Sequence, residues 1–141
     1  MGQQLVASCP CGYQGRASVG SSRRDHGKVF SFPHHCQSCT QVVSGDVLAS
    51  ELKCPKCASS ELIQYGVKIP ESPRTWGGKL LGLLSGTFLW NELALSRLRR
   101  NSIATSYCFV HHATYGVTRG KYCCPKCSTQ VMVFSVGSFF S

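Results

Sequence analysis

Eight of the ten cysteines in this 141-residue chain fall into four close pairs: Cys9-Pro10-Cys11, Cys36-Gln37-Ser38-Cys39, Cys54-Pro55-Lys56-Cys57 and Cys124-Pro125-Lys126-Cys127. No other feature restricts the fold as much, because cysteines this dense end either in disulfides or around metal. Disulfides belong to oxidising compartments. Met1-Gly2-Gln3-Gln4-Leu5-Val6 has neither the basic start nor the apolar run of a secretory leader. The expected location is therefore cytoplasmic, where thiols stay reduced and paired cysteines act as metal ligands.

Two cysteines separated by a tight turn present both sulfurs to one side, and each such turn supplies half of a tetrahedral site. Four turns make two sites, so Cys9, Cys11, Cys36, Cys39, Cys54, Cys57, Cys124 and Cys127 are read as ligands of two structural Zn²⁺ ions. Proline follows the first cysteine in three pairs and presets φ there. Short β-prone runs lie close by: Leu5-Val6-Ala7, Val29 to Phe32, Gln41-Val42-Val43 and Val131 to Phe134. Knuckles flanked by short strands are the pattern of a zinc ribbon. Cys9-Pro10-Cys11 is one residue shorter than the other turns and narrows the ligand bite. Ala58 and Ser128, not glycine, follow two of the knuckles, which favours zinc over a rubredoxin-type iron. The formal charge of +9 falls to about +5 once eight thiolates and two Zn²⁺ are counted.

Of the three possible pairings, an interleaved cross-brace is least expected because one gap is so long, and two remain open. Sequential pairing joins the first two turns across 24 residues and the last two across 66; nested pairing joins the middle two across 14 and leaves the first and last to meet around them. Sequential pairing is favoured, because Tyr13 to Pro33, with Gly15, Gly20 and Gly27, reads as a hairpin extension of one ribbon complete by Val43. It divides the chain into a first ribbon at 1–48, a second at 49–66 and 120–141, and an insertion at 67–119. So arranged, the chain resembles the small two-ribbon zinc proteins of prokaryotes, which carry a CPCGY-type first turn and CPxC turns later. The likeness covers roughly 5–65 and 121–136. It implies structural zinc and no activity; ribbons elsewhere serve in transcription, translation and protein docking. The long insertion departs from that pattern. The fold class expected is a small, metal-stabilised α+β protein: two zinc ribbons with a helix-containing insertion in the second.

Within the insertion, Pro70-Glu71-Ser72-Pro73-Arg74 breaks any preceding element, and Gly77-Gly78 follows Trp76. From Lys79 to Arg100, Leu80, Leu83, Leu84, Thr87, Phe88, Asn91, Leu95 and Leu98 recur at helical spacing, with Arg97, Arg99 and Arg100 placed to favour the C-terminal dipole. Gly78, Gly82 and Gly86 form a small-residue stripe that suits close helix approach. A transmembrane span is not expected, since Asn91 and Glu92 interrupt the apolar run. Ile103 to Val110 and His112 to Val117 read as strands closing a small sheet over the helix.

Other chemistry is sparse. Cys108 and His111 have ligand spacing, with His112 and Cys123 near in sequence, but isolated cysteines are more often small buried hydrophobes. His34 and His35 directly precede Cys36 and are candidates to replace a ligand. Six carboxylates leave little material for acid–base work, and the common hydrolase, phosphate-loop and deaminase motifs are missing. Four thiolates also close the zinc shell. A non-enzymatic binding role follows, with an enzyme built on Cys108 and His111 ranked last. Arg16, Arg23, Arg24 and Lys28 lie between Tyr13 and Phe30, and basic groups beside aromatics suit phosphates and bases. The leading expectation is an adaptor for nucleic acid or for a protein of a nucleic-acid machine, with no small-molecule substrate. The alternative is a peripheral membrane or assembly factor that uses the apolar helix at 76–100, with Arg97, Arg99, Arg100, Arg119 and Lys121 toward lipid headgroups.

Overall fold

A computed structural model describes residues 2–71 and 86–140, without the side chains of Thr87 and Phe88. Strands β1 (Gly2–Ser8) and β2 (Gln14–Val19) make an antiparallel hairpin whose loop is the first knuckle. Period-two alternation turns Leu5 and Ala7 of β1 and Ala17 and Val19 of β2 inward. β3 (Ser31–Cys36) and β4 (Gln41–Asp46) form the second hairpin, and β5 (Leu62–Gln64) adds to the free edge of β3.

Three sheets result. β6 (Val67–Pro70), helix α1 (Thr87–Asn101), β7 (Ser102–Cys108) and β8 (Ala113–Thr118) build one of them, in the strand order β6-β8-β7. The short β9 (Tyr122–Cys123) and the long β10 (Gln130–Phe140) then return to the first sheet, ordered β2-β1-β10-β9. The first and last strands of the described chain are therefore direct neighbours: Ser8 faces Val133 and Gly2 faces Phe140. All three sheets feed one core, in which Leu5, Phe32, Tyr115, Val117, Met132 and Phe134 are buried together. The molecule is mostly antiparallel sheet, with one helix among the described residues.

The strands expected at 103–110 and 112–117 are β7 and β8, and with β6 they make the small sheet under the helix. α1 buries Leu95 and Leu98 on it. Gly116 of β8 leaves room for this packing: a Cβ there would lie 3.0 Å from the Leu98 side chain. Leu80, Leu83 and Leu84, together with Gly78, Gly82 and Trp76, lie outside the described residues. Gly86 stands at the N-cap of α1 with φ 69°, so the turn, not close packing within a helix, requires glycine there. Leu89, Trp90 and Leu93 are exposed on α1. No helix among the described residues is long and apolar enough to cross a membrane.

The expectation that Tyr13 to Pro33 forms one ribbon's hairpin is corrected. β2 pairs with β1, not β3, and the two meet only through a bridge between Gly20 and Ser31 with bonds of 2.9 and 3.0 Å. The apolar residues of β2 and β1 share a face, with Ala17 opposite Leu5, and both strands pack it into the core.

Candidate metal centres

The eight predicted ligands gather into two groups of four. Cys9, Cys11, Cys124 and Cys127 form an outer tetrad and Cys36, Cys39, Cys54 and Cys57 an inner one, with the ligand atoms of each within 4.8 Å of one another. The pairing is nested, and the sequential pairing expected from the sequence is overturned. The reason is the ladder between β1 and β10, which brings the first and last knuckles to one end of the same sheet. The middle knuckles meet locally, because Cys36 lies opposite Gln41 on one side and Leu62 on the other.

Both groups fit zinc. A tetrahedron of sulfurs at a Zn–S length near 2.3 Å has edges of about 3.8 Å. The sulfur separations are 3.7 Å for Cys9 and Cys127, 3.8 Å for Cys11 and Cys124, 3.5 Å for Cys36 and Cys57, and 3.8 Å for Cys39 and Cys54. Four thiolates of this spacing close the coordination shell, which makes both centres structural zinc sites.

Hydrogen bonds of the knuckles account for this convergence. Ala58 N–H donates to Cys54 O and Cys54 N–H to Ser59 O, both at 2.9 Å; Ser128, Cys124 and Thr129 repeat the two bonds at the same lengths. In the shorter first knuckle Gly12 N–H donates to Cys9 O and Cys9 N–H to Tyr13 O, each at 3.0 Å. The same frame thus closes with one residue fewer. The residue after the second cysteine is left-handed in all four knuckles: Gly12 at φ 89°, Thr40 at 52°, Ala58 at 58° and Ser128 at 57°. Only the first uses glycine for a conformation that costs a side-chain-bearing residue about 1 kcal/mol.

The thiols of each tetrad differ in acidity. Burial pushes Cys9 up to about 12 and Cys39 up to about 12. Burial also works against ionisation at Cys54, but backbone N–H groups of Cys57 and Lys56 outweigh it and bring Cys54 down to about 7. The Lys56 N–H lies 3.4 Å from that sulfur. The Thr129 hydroxyl, 2.9 Å from Cys127, holds this thiol down to about 6. Thiols bind zinc as thiolates, so a dication entering either site displaces protons.

His34 and His35 join neither tetrad. His34 is buried, its Nδ1 2.8 Å from the Phe32 carbonyl oxygen, and burial lowers its pKa; His35 stacks on Tyr65 at 6.1 Å. Cys108 is buried in the core, His111 Nδ1 lies 2.8 Å from the Tyr115 hydroxyl, and His112 Nδ1 lies 3.4 Å from that of Tyr107. With Cys123 also outside both tetrads, the described residues form no third metal cluster. Two tyrosines connect the metal centres: Val42 N–H of β4 donates to the Tyr13 hydroxyl at 2.7 Å, and the Tyr65 hydroxyl donates to the Cys123 carbonyl at 2.8 Å.

Arg16, Arg23, Arg24 and Lys28 are all exposed. Arg16 stands on β2 beside the outer knuckle, whereas the other three occupy the loop past the far end of that strand. Sequence reasoning passed over Lys56 as a binding residue, although its place between Cys54 and Cys57 puts it on a metal-held turn. No family model, curated protein or solved structure matches this chain.

Proposed function

We propose that this protein is a non-enzymatic, zinc-stapled adaptor that binds nucleic acid through its basic residues. One observation carries the reading. Arg16, Arg23, Arg24 and Lys28 are exposed, and none is ion-paired among the described residues, where the only salt bridges join Lys53 to Glu51 and Arg99 to Glu71. Unpaired cations on a scaffold held by closed zinc shells are available to phosphates, and each phosphate neutralised releases counterions. The scaffold's part is to fix where those cations stand; the chemistry is electrostatic.

Zinc-loaded protein titrated into labelled single- and double-stranded oligonucleotides tests this. Binding that weakens steeply with salt, and that Arg23→Glu with Arg24→Glu weakens through the lost long-range attraction, is the expected result; no binding to either form at low salt overturns it. A second reading rests on α1, where Leu89, Trp90 at 75% exposure and Leu93 form an apolar face. Interfacial helices bury such a face among lipid headgroups. Flotation with liposomes that persists in high salt and disappears in Leu89→Glu with Trp90→Glu would favour the peripheral membrane role.

A further inference from the structure

Between the two metal centres lies a groove of about 660 Å³, lined by Tyr13, Gln14 and Arg16 on one side and Gln41, Val42 and Lys56 on the other. The first wall follows Cys11 of the outer tetrad; the second follows Cys39 and includes the residue between Cys54 and Cys57 of the inner one. None of the chain's six carboxylates lines it, so both of its cations face outward without an acid beside them. Tyr13 is fixed across the groove by the bond from Val42 N–H to its hydroxyl, and it lies so close over Gly15 that a Cβ there would meet that oxygen at 2.9 Å. Lys56 donates to the Gln41 side-chain oxygen, which orients the Gln41 amide and leaves its NH₂ as a free donor.

We propose that this groove is a single-stranded nucleic-acid site, in which Arg16 and Lys56 hold neighbouring phosphates and Tyr13, Gln14 and Gln41 receive a base. The proposal rests on the nucleic-acid reading above and narrows it to a strand class and a place. The volume falls within the about 300–1,000 Å³ of small-ligand clefts, enough for a nucleotide or two. A duplex is read by a convex element entering a groove about 12 Å wide, whereas a concave cleft takes a splayed strand. A cationic wall, an aromatic ring and amide groups together are the combination that single strands use. Both walls carry metal-ligand turns, so loss of zinc from either tetrad should weaken single-strand binding.

Fluorescence anisotropy with the full, zinc-loaded chain and short labelled oligonucleotides of mixed sequence tests the proposal. Single strands should bind about tenfold more tightly than the matching duplex. Arg16→Gln with Lys56→Gln, both surface changes, should weaken single-strand binding about tenfold and lower the slope of log K against log salt by about 1.4, as expected for two lost phosphate contacts. Arg97→Gln with Arg100→Gln on α1 removes the same charge and should leave the slope unchanged; zinc content checks that each variant is folded. Duplex binding as tight as single-strand binding, or equal losses in the two double variants, overturns the groove while nucleic-acid binding itself stands. No binding of any strand at low salt overturns both.

Discussion

The two zinc centres have the same four-cysteine ligand set and share one knuckle frame, at Cys54 and at Cys124, yet they hold the chain in opposite ways. The inner tetrad closes 14 residues between Cys39 and Cys54; the outer closes 112 between Cys11 and Cys124. Closing a loop eight times longer costs about 2 kcal/mol more in chain entropy. The outer site offsets this with the long ladder of β1 on β10 and with Leu5, Ala7, Met132 and Phe134, which bury beside Cys9 and Cys124. The inner site touches only a small cluster, with Val43 and Leu62 around Cys36 and Cys54. A local finger can therefore assemble from its own turns, whereas the outer site needs the whole fold and in turn secures it.

The largest test of that contrast is to break each tetrad. Purified protein should carry two zinc ions per chain; Cys9→Ser and Cys124→Ser should each lose the same one and unfold the sheet that joins the chain's ends, because a core of this size depends on its metal. Cys36→Ser and Cys54→Ser should lose the other, with hydrogen exchange rising at β3 to β5 and protection retained on β1 and β10. Elemental analysis combined with exchange measurements reads this out, and a shared metal for Cys36 and Cys124 would break the comparison.

Next in size is acid release. Relative to its unfolded value of 9.0, Cys127 is lowered to about 6. Its preference for the folded state is complete above 9 and lost as the pH falls through about 6. Thr129→Val removes the hydroxyl responsible, so zinc should leave the outer site at a higher pH and with an affinity about tenfold lower, the usual scale of a lost partner behind a ligand. The inner site, which lacks that threonine, should release at an unchanged pH. Chromophoric chelator titration across pH distinguishes the two.

Smaller effects probe the coupling and the turns. Tyr65→Phe leaves the Cys123 carbonyl without its donor and should cost about 1 kcal/mol in denaturant unfolding. It should loosen β9 without loss of either zinc. Gly12→Ala in the outer site meets no atom within 4 Å, so its cost of about 1 kcal/mol would come from φ alone. Ala58→Gly in the inner site relieves the same conformation and should gain about 0.5 kcal/mol, since glycine's greater chain entropy takes back part of the relief. Opposite signs in a thermal melt are the check.

What can be read from the residues alone is what depends on local spacing. A gap of one or two residues determines that a turn presents two sulfurs, so all eight ligands, their zinc and the strands beside them follow from the sequence. The helical spacing of Leu95 and Leu98 and the β-branched content of 103–117 are equally local, and the structure places α1, β7 and β8 there. Which knuckle meets which is a different kind of question, because either pairing satisfies four-sulfur coordination. The two pairings close loops of 24 and 66 or of 14 and 112 residues, whose summed closure entropies agree to well within about 1 kcal/mol, too little to decide it. Only the tertiary structure decided it: burying the apolar faces of β1 and β10 in one ladder outweighs that difference, and the groove between Arg16 and Lys56 exists because of the arrangement that this burial selected.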